Sequence, residues 1–367
     1  MKWFIFNLMF FIGTLCQLLV AETDEIETNQ AIEFAKRYEI KERKTVPEWA
    51  QRSDKPLFTV AWLSDSHLGN RQSYQLNRAA FSTVRNDIKP DAVFITGDNC
   101  FIGSGELWKK YCKESAPAGM PGWERIQRLY RAILTSEIPD TPIYVLPGDN
   151  WYEEFSKVFG SDTFAFSVGG FRFIFASPDS SGEKNGCAVM SQKRWQWLRG
   201  QLAAYRNSPV IYLQHEPLVP PAILEADAIT EMLKANNNVI GVLSGHLHVD
   251  LDLPGGGGWR QWCAPSIGRS HRPGFKVLSF YPDIVVGYSY EWQERAGKFV
   301  RVNKFQRLEI PEHLRGNLSA VSSFVPQDYN AMAPAERIHD ASLDRRYHEV
   351  IRQLKCYAPK MMFFGLF

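Results

Sequence analysis

Five short apolar runs in this chain each end abruptly in residues able to hold a metal. Residues 59–63 (TVAWL) lead into Asp65-Ser66-His67. Residues 91–96 end in Gly97-Asp98-Asn99, and residues 142–146 in Pro147-Gly148-Asp149-Asn150. Residues 209–213 end in Gln214-His215-Glu216, and residues 238–243 in Ser244-Gly245-His246-Leu247-His248. Four of the chain's eight histidines fall at these places, a concentration that a random scatter would rarely produce. Short apolar runs closed by turn signals read as buried strands. In open α/β sheets, ligands collect outside the carboxyl ends of the strands. Residues two apart on a strand point to the same side, so Asp65 and His67 can grip one ion. A donor set of imidazole, carboxylate and amide oxygen suits zinc, iron or manganese.

Helical patterns lie between these runs. Leu76, Ala80, Phe81, Val84 and Ile88 fall near helical spacing over residues 74–88. Further helices are expected over 123–134, over 191–206 with Ser191 as N-cap, and over 223–235. Residues 164–177 read as a hairpin turning at Gly169-Gly170, and 100–121 as a long loop. After a glycine-rich turn at 255–258, strands are expected over 259–264, 276–280, 284–292 and 299–305. This alternation predicts an α/β fold with sheets covered on their faces. Periodicity fades over 306–340, a last helix is expected over 343–354, and the apolar tail 361–367 is too short to span a bilayer. The expected organisation is a signal peptide (1–21), a linker or helix (22–56), a catalytic domain (57–305) and a C-terminal extension (306–367).

The N-terminus reads as an export signal. Met1-Lys2 is followed by an apolar stretch to Ala21 and then by the acidic Glu22-Thr23-Asp24-Glu25. A secreted or otherwise extracytoplasmic protein is expected. The alternative is a membrane anchor, because the run approaches the roughly 20 residues that cross a bilayer. Cys100 and Cys112, flanking the loop, are the expected disulfide in that oxidising setting. The net charge of +2, from 42 basic and 40 acidic residues, speaks against a nucleic-acid-binding protein. His215-Glu216-Pro217 breaks the helical H-E-x-x-H pattern, which excludes a zincin protease, and the 255–258 glycines lack the Lys and helix of a phosphate-binding loop.

In order, the blocks D-x-H, G-D, G-D-N, H and G-H-x-H between Phe58 and Asp250 resemble the calcineurin-like metallophosphoesterase superfamily, which includes the purple acid phosphatases. The resemblance implies a four-layer α/β/β/α sandwich of the metallo-dependent phosphatase type. It implies two metal ions (iron, manganese or zinc), with Asp65, His67 and His248 on one. Asp98 would bridge both, and His215, His246 and an Asn would complete the second. The implied reaction is hydrolysis of small-molecule phosphate mono- or diesters by a hydroxide held between the ions. Asn99 would contact the phosphate, as would Ser66. Arg71, Arg269, His271 and Arg272 are candidate phosphate clamps, although solvated surface charge is the more ordinary reading of such residues.

The third block departs from the pattern. The superfamily has Gly-Asn-His where this chain has Gly148-Asp149-Asn150-Trp151. Read without a gap, Asp149 is the ligand and Asn150 replaces the His that protonates the leaving group. Read with a one-residue shift, Asn150 is the ligand. We favour Asn150 here because it keeps the ligand chemistry. Asn cannot supply a proton, so the acid would be Asp149, Glu153, Glu154, His271 or a bound water. A non-catalytic binding or scaffold protein on the same fold is the alternative, drawing on this altered block.

Overall fold

The structure is a computed structural model describing residues 36–100, 105–113, 117–149, 155–178, 188, 190–219, 222–223 and 226–330. In chain order its strands are β1 (Phe58–Leu63), β2 (Ala92–Ile95), β3 (Ile143–Val145), β4 (Thr163–Val168), β5 (Phe171–Ala176) and β6 (Val210–Leu213). They continue with β7 (Val239–Ser244), β8 (Leu251–Gly256), β9 (Trp259–Cys263), β10 (Gly274–Phe280), β11 (Ile284–Gln293) and β12 (Lys298–Glu309). They form two six-stranded sheets, ordered β12-β11-β10-β1-β2-β3 and β4-β5-β6-β7-β9-β8. Strands β1, β2 and β3 run parallel, as do β5, β6, β7 and β9.

Three apolar cores separate four layers. One, with Ala61, Val93, Val145, Phe81, Leu129 and Ile133, lies between the first sheet and helices Arg71–Thr83 and Gly122–Glu137. A second fills the space between the sheets, with Phe58, Trp62, Phe94, Phe173, Leu213 and Trp262. The third, with Ile174, Tyr212, Leu198 and Ile229, lies beneath helices Gln192–Ala204 and Ala226–Lys234. Around the central strands both faces of each sheet are therefore dry, while the edge strands β4, β8 and β12 keep exposed residues. That explains why the central strands read as continuous apolar runs and not as alternating ones. The expected four-layer sandwich is the observed one.

Most expected elements are present within a few residues. Ser191 caps its helix by accepting from Arg194 N, and Gly169-Gly170 turn the β4–β5 hairpin. Helix Arg71–Thr83 begins in a reciprocal cap between Asn70 and Ser73. Four expectations change. The loop 100–121 contains an eight-residue helix, Gly105–Cys112, whose Trp108 is buried against the first core. Cys100 and Cys112 form no disulfide: the Cys100 thiol lies 3.4 Å from Leu68 O, and Cys112 ends that unforeseen helix. β8 was hidden by its own Pro254 and glycines. β12 runs through residue 305 to Glu309, and the segment beyond it packs on the domain: Phe324 enters the inter-sheet core.

The N-terminal linker also joins the fold. Glu39 bridges Leu251 at the β8 edge, and Ile40 N donates to Asp250 O at 2.9 Å. The expected signal peptide, the helix over 343–354 and the apolar tail lie outside the described residues. Among the described residues, no helix is long and apolar enough to cross a membrane.

Candidate metal centre

Every expected strand end opens onto one place. Asp65 and His67 follow β1, Asp98 and Asn99 follow β2, and Asp149 follows β3. His215 follows β6, and His246 and His248 follow β7. Three loops come from the first sheet and two from the second, so the site straddles the end of the sandwich. Backbone bonds join the loops: Asp65 N to Gly97 O (3.0 Å), His67 N to Asp98 O (2.9 Å) and Gly245 N to His215 O (2.9 Å). The approach is close enough that a Cβ on Gly148 would meet Asp98 Oδ1 at 1.8 Å, and one on Gly245 would meet Ser64 Oγ at 2.0 Å.

Asp65, His67, Asp98, His246 and His248 all have positive φ, between 37° and 68°. Such backbone is costly for residues with a Cβ and persists only where the surroundings over-determine it. The fold thus holds these side chains in place before any ligand arrives.

The donor atoms form two groups, each with its atoms within 4.8 Å of one another: Asp65, His67, Asp98 and His248, and then Asp149, His215 and His246. In the first, His67 Nε2 lies 2.8 Å from His248 Nε2 and 3.4 Å from Asp98 Oδ2, and His248 Nε2 lies 3.2 Å from Asp65 Oδ1. In the second, His215 Nε2 lies 3.2 Å from Asp149 Oδ1, which is 3.7 Å from His246 Nδ1. Asp98 faces both groups: its Oδ1 is 3.5 Å from His215 Nε2.

His215 shows what these groups lack. Its Nδ1 lies 2.6 Å from Thr96 O and donates to it, since a carbonyl can only accept. That orients the ring with Nε2 aimed into the site, where this fully buried atom makes no hydrogen bond of good geometry. A buried imidazole nitrogen aimed between carboxylates, with a second pair of imidazole nitrogens 2.8 Å apart nearby, fits a cation in each group.

Burial alone would push Asp65 up, but His248 and His215 outweigh it and hold the carboxyl well below the usual range. Asp149 is likewise held well below by His246 and His215 against burial. Burial opposes charge on His215 and His246, yet Asp98 and Asp149 raise the first and Asp149 the second. Burial lowers His67 to about 4, so its ring is neutral at pH 7 and able to bind a metal.

The remaining candidate residues lie beside these groups or on the surface. The Ser66 hydroxyl pairs with the buried Tyr130 OH at 2.9 Å, so it braces the helix Gly122–Glu137. Asn99 is buried beside Asp98 and spends one amide hydrogen on Leu146 O at 3.2 Å. Arg269 is exposed but anchored: the preceding Gly268 packs so closely that a Cβ would meet Ser66 O at 2.1 Å, and Gly268 N donates to Asp65 O at 3.2 Å. Arg71, His271 and Arg272 are exposed, with Arg272 3.8 Å from Glu39. Asn150, Trp151, Glu153 and Glu154 lie outside the described residues.

Sequence reasoning passed over Ser266, whose hydroxyl donates to Asp65 O at 2.7 Å. It also gave no role to Glu216, a buried carboxyl beside His215 that burial pushes up. Only Glu216's adjacency to a strand-end histidine could have signalled it.

Comparison with known proteins agrees with this geometry. Residues 58–250 match the family model described as calcineurin-like phosphoesterase. A probable glycerophosphodiester phosphodiesterase from Arcobacter nitrofigilis is 22% identical over 52% of this chain and 71% of its own length. A serine/threonine-protein phosphatase from Homo sapiens is 28% identical over 42% of this chain, which spans about half (49%) of that relative. The crystal structure of a dimetal phosphatase from Danio rerio superposes with a TM-score of 0.54 at 14% identity, covering 70% of this chain and 100% of that one.

Proposed function

Because the chain belongs to the calcineurin-like phosphoesterase family, a group of metal-dependent phosphoric ester hydrolases, we propose that it hydrolyses small-molecule phosphate mono- or diesters at a two-metal centre. One observation carries this reading: two donor groups, each sufficient for an ion, meet at Asp98. Asp65, His67 and His248 would hold one ion and Asp149, His215 and His246 the other, with Asp98 between them. Bound there, iron, manganese or zinc supplies Lewis acidity toward phosphoryl oxygens and lowers the pKa of water.

The chain's own residues do the rest. Thr96 O holds the His215 ring with Nε2 aimed into the site. Asp149 acts as a ligand and not as the acid, because its carboxylate faces two imidazoles and is held well below the usual range. That favours the reading of the third block without a gap, with Asp149 in the ligand position and Asn150 in the place of the acid. Asn99 keeps its second amide hydrogen for a phosphate oxygen. Arg269, anchored beside the Asp65–His67 loop, orients the phosphate by its guanidinium.

Metal-reconstituted protein is expected to cleave aryl phosphates, and chelation to abolish the activity. Absence of bound metal, with no activity on added Mn²⁺, Zn²⁺ or Fe, overturns the reading. A general acid contributes about 10²–10⁴-fold. With Asn150 in the acid's place, aryl esters should outpace alkyl esters by at least about 10²-fold, and equal rates would reveal another acid. The apolar segment 3–21 supports export, although no Cys100–Cys112 bridge adds to that case. N-terminal sequencing of mature protein checks it, and a chain still beginning at Met1 refutes cleavage.

A further inference from the structure

The space between the two sheets is apolar along most of its length, but at the metal-centre end it holds a charge pair. Lys276 lies on β10 in the first sheet and is fully buried. By alternation it shares a face with Leu278 and Phe280, both in the inter-sheet core. Its Nζ lies 2.5 Å from Asp250 Oδ1 and 2.9 Å from Ser289 Oγ, and Ser289 Oγ donates to Asp250 Oδ2 at 2.6 Å. Ser289 is the cross-strand partner of Lys276 on β11. Asp250 precedes β8 in the second sheet.

The two ends of this cluster lead straight to metal ligands. Asp250 stands two residues past His248. Lys276 is paired across the ladder with Trp62, three residues before Asp65 on β1. His248 Nε2 and Asp65 Oδ1, 3.2 Å apart, therefore hang from opposite sheets that this cluster joins. The backbone of Asp250 is held as well, its carbonyl accepting from Ile40 N.

A buried ion pair is a poor way to glue two sheets, since well-packed apolar residues do the same without desolvating charge. What it provides is direction: a fixed separation and register at one point. We propose that the Asp250–Lys276–Ser289 cluster is a positioning tether that sets the His248 loop against the Asp65 loop, and so fixes the geometry of the first ion's ligands. This inference rests on the two-metal reading above.

The test is stepwise calorimetric titration of the metal-free full chain with Mn²⁺, alongside its thermal melt. The double variant D250A/K276M removes both charges together, so neither is left buried and alone. It is expected to weaken one of the two Mn²⁺ steps by about 10- to 100-fold, the range for residues that orient ligands. The other step, identified as the one lost in His215→Ala, should be unchanged. The Ser289→Ala variant, which keeps the pair, is expected to weaken the same step by a smaller factor and guards against a double variant that does not fold. Variants that shift the melt but bind both ions as the unaltered protein does would reduce the cluster to a structural pair and overturn the tether. Unaltered protein that takes up no Mn²⁺ would overturn the metal-centre reading beneath it.

Discussion

In the first ligand group, Asp65, His67, Asp98 and His248 are all buried, and backbone bonds to neighbouring loops fix the first three. In the second, His215 and His246 are equally buried, but Asp149 is partly exposed. The first group also matches the family pattern residue for residue, while the second carries the substituted position. The contrast teaches that one half of the centre is wholly buried, while the other includes one partly exposed carboxylate carried after a three-residue strand. The first ion should bind tightly and the second should exchange.

Asp98 is where that contrast should vanish, because it serves both groups. Asp98→Asn should lower kcat by about 10²–10³-fold, the range for deleting one preorganised electrostatic group, and weaken both Mn²⁺ steps. Loss confined to one step would show that Asp98 does not bridge. Asp149 should sharpen the comparison. Asp149→Ala should weaken only the exchangeable ion, by at least about tenfold, and Asp149→Asn, which restores an amide ligand, should recover most of it. An Asp149→Ala variant that still binds two ions would return the ligand role to Asn150. Arg269 belongs to neither group. Arg269→Ala removes one charge-assisted contact worth about 1.5 kcal/mol, so KM for phosphate esters should rise about tenfold with kcat little changed. An unaltered KM would make it a surface charge.

The legible part of this molecule was its strand ends. Apolar runs buried on both faces stand out in a sequence, and left-handed loop residues at their ends carry chemistry that composition alone flags, so six of the seven converging side chains could be read directly. The seventh, Asp149, took second place to Asn150 as a ligand because spacing cannot rank two adjacent residues; the approach of its carboxylate to His215 and His246 is a tertiary fact. Helix Gly105–Cys112 was missed because it is short and stabilised by burying Trp108, not by a long amphipathic face. The Asp250–Lys276–Ser289 cluster joins residues up to 39 apart in the chain. No local pattern could have announced it, and a lone Lys in a strand usually means a solvated face.

The segment beyond β12 sets where this domain can be cut. Gln327 Oε1 accepts from Val145 N at 2.8 Å on the open side of β3, Tyr144 OH donates to Val325 O, and Tyr329 OH donates to Ile143 O at 3.3 Å. Phe324 packs 5.4 Å from Phe58 in the inter-sheet core. Truncation at residue 305, where the sequence pattern fades, would shorten β12, uncover that core and leave an unpaired strand edge, a template for pairing with other chains. A chain that keeps Phe324, Val325, Gln327 and Tyr329 retains these contacts, so truncation is expected to be tolerated only beyond residue 329.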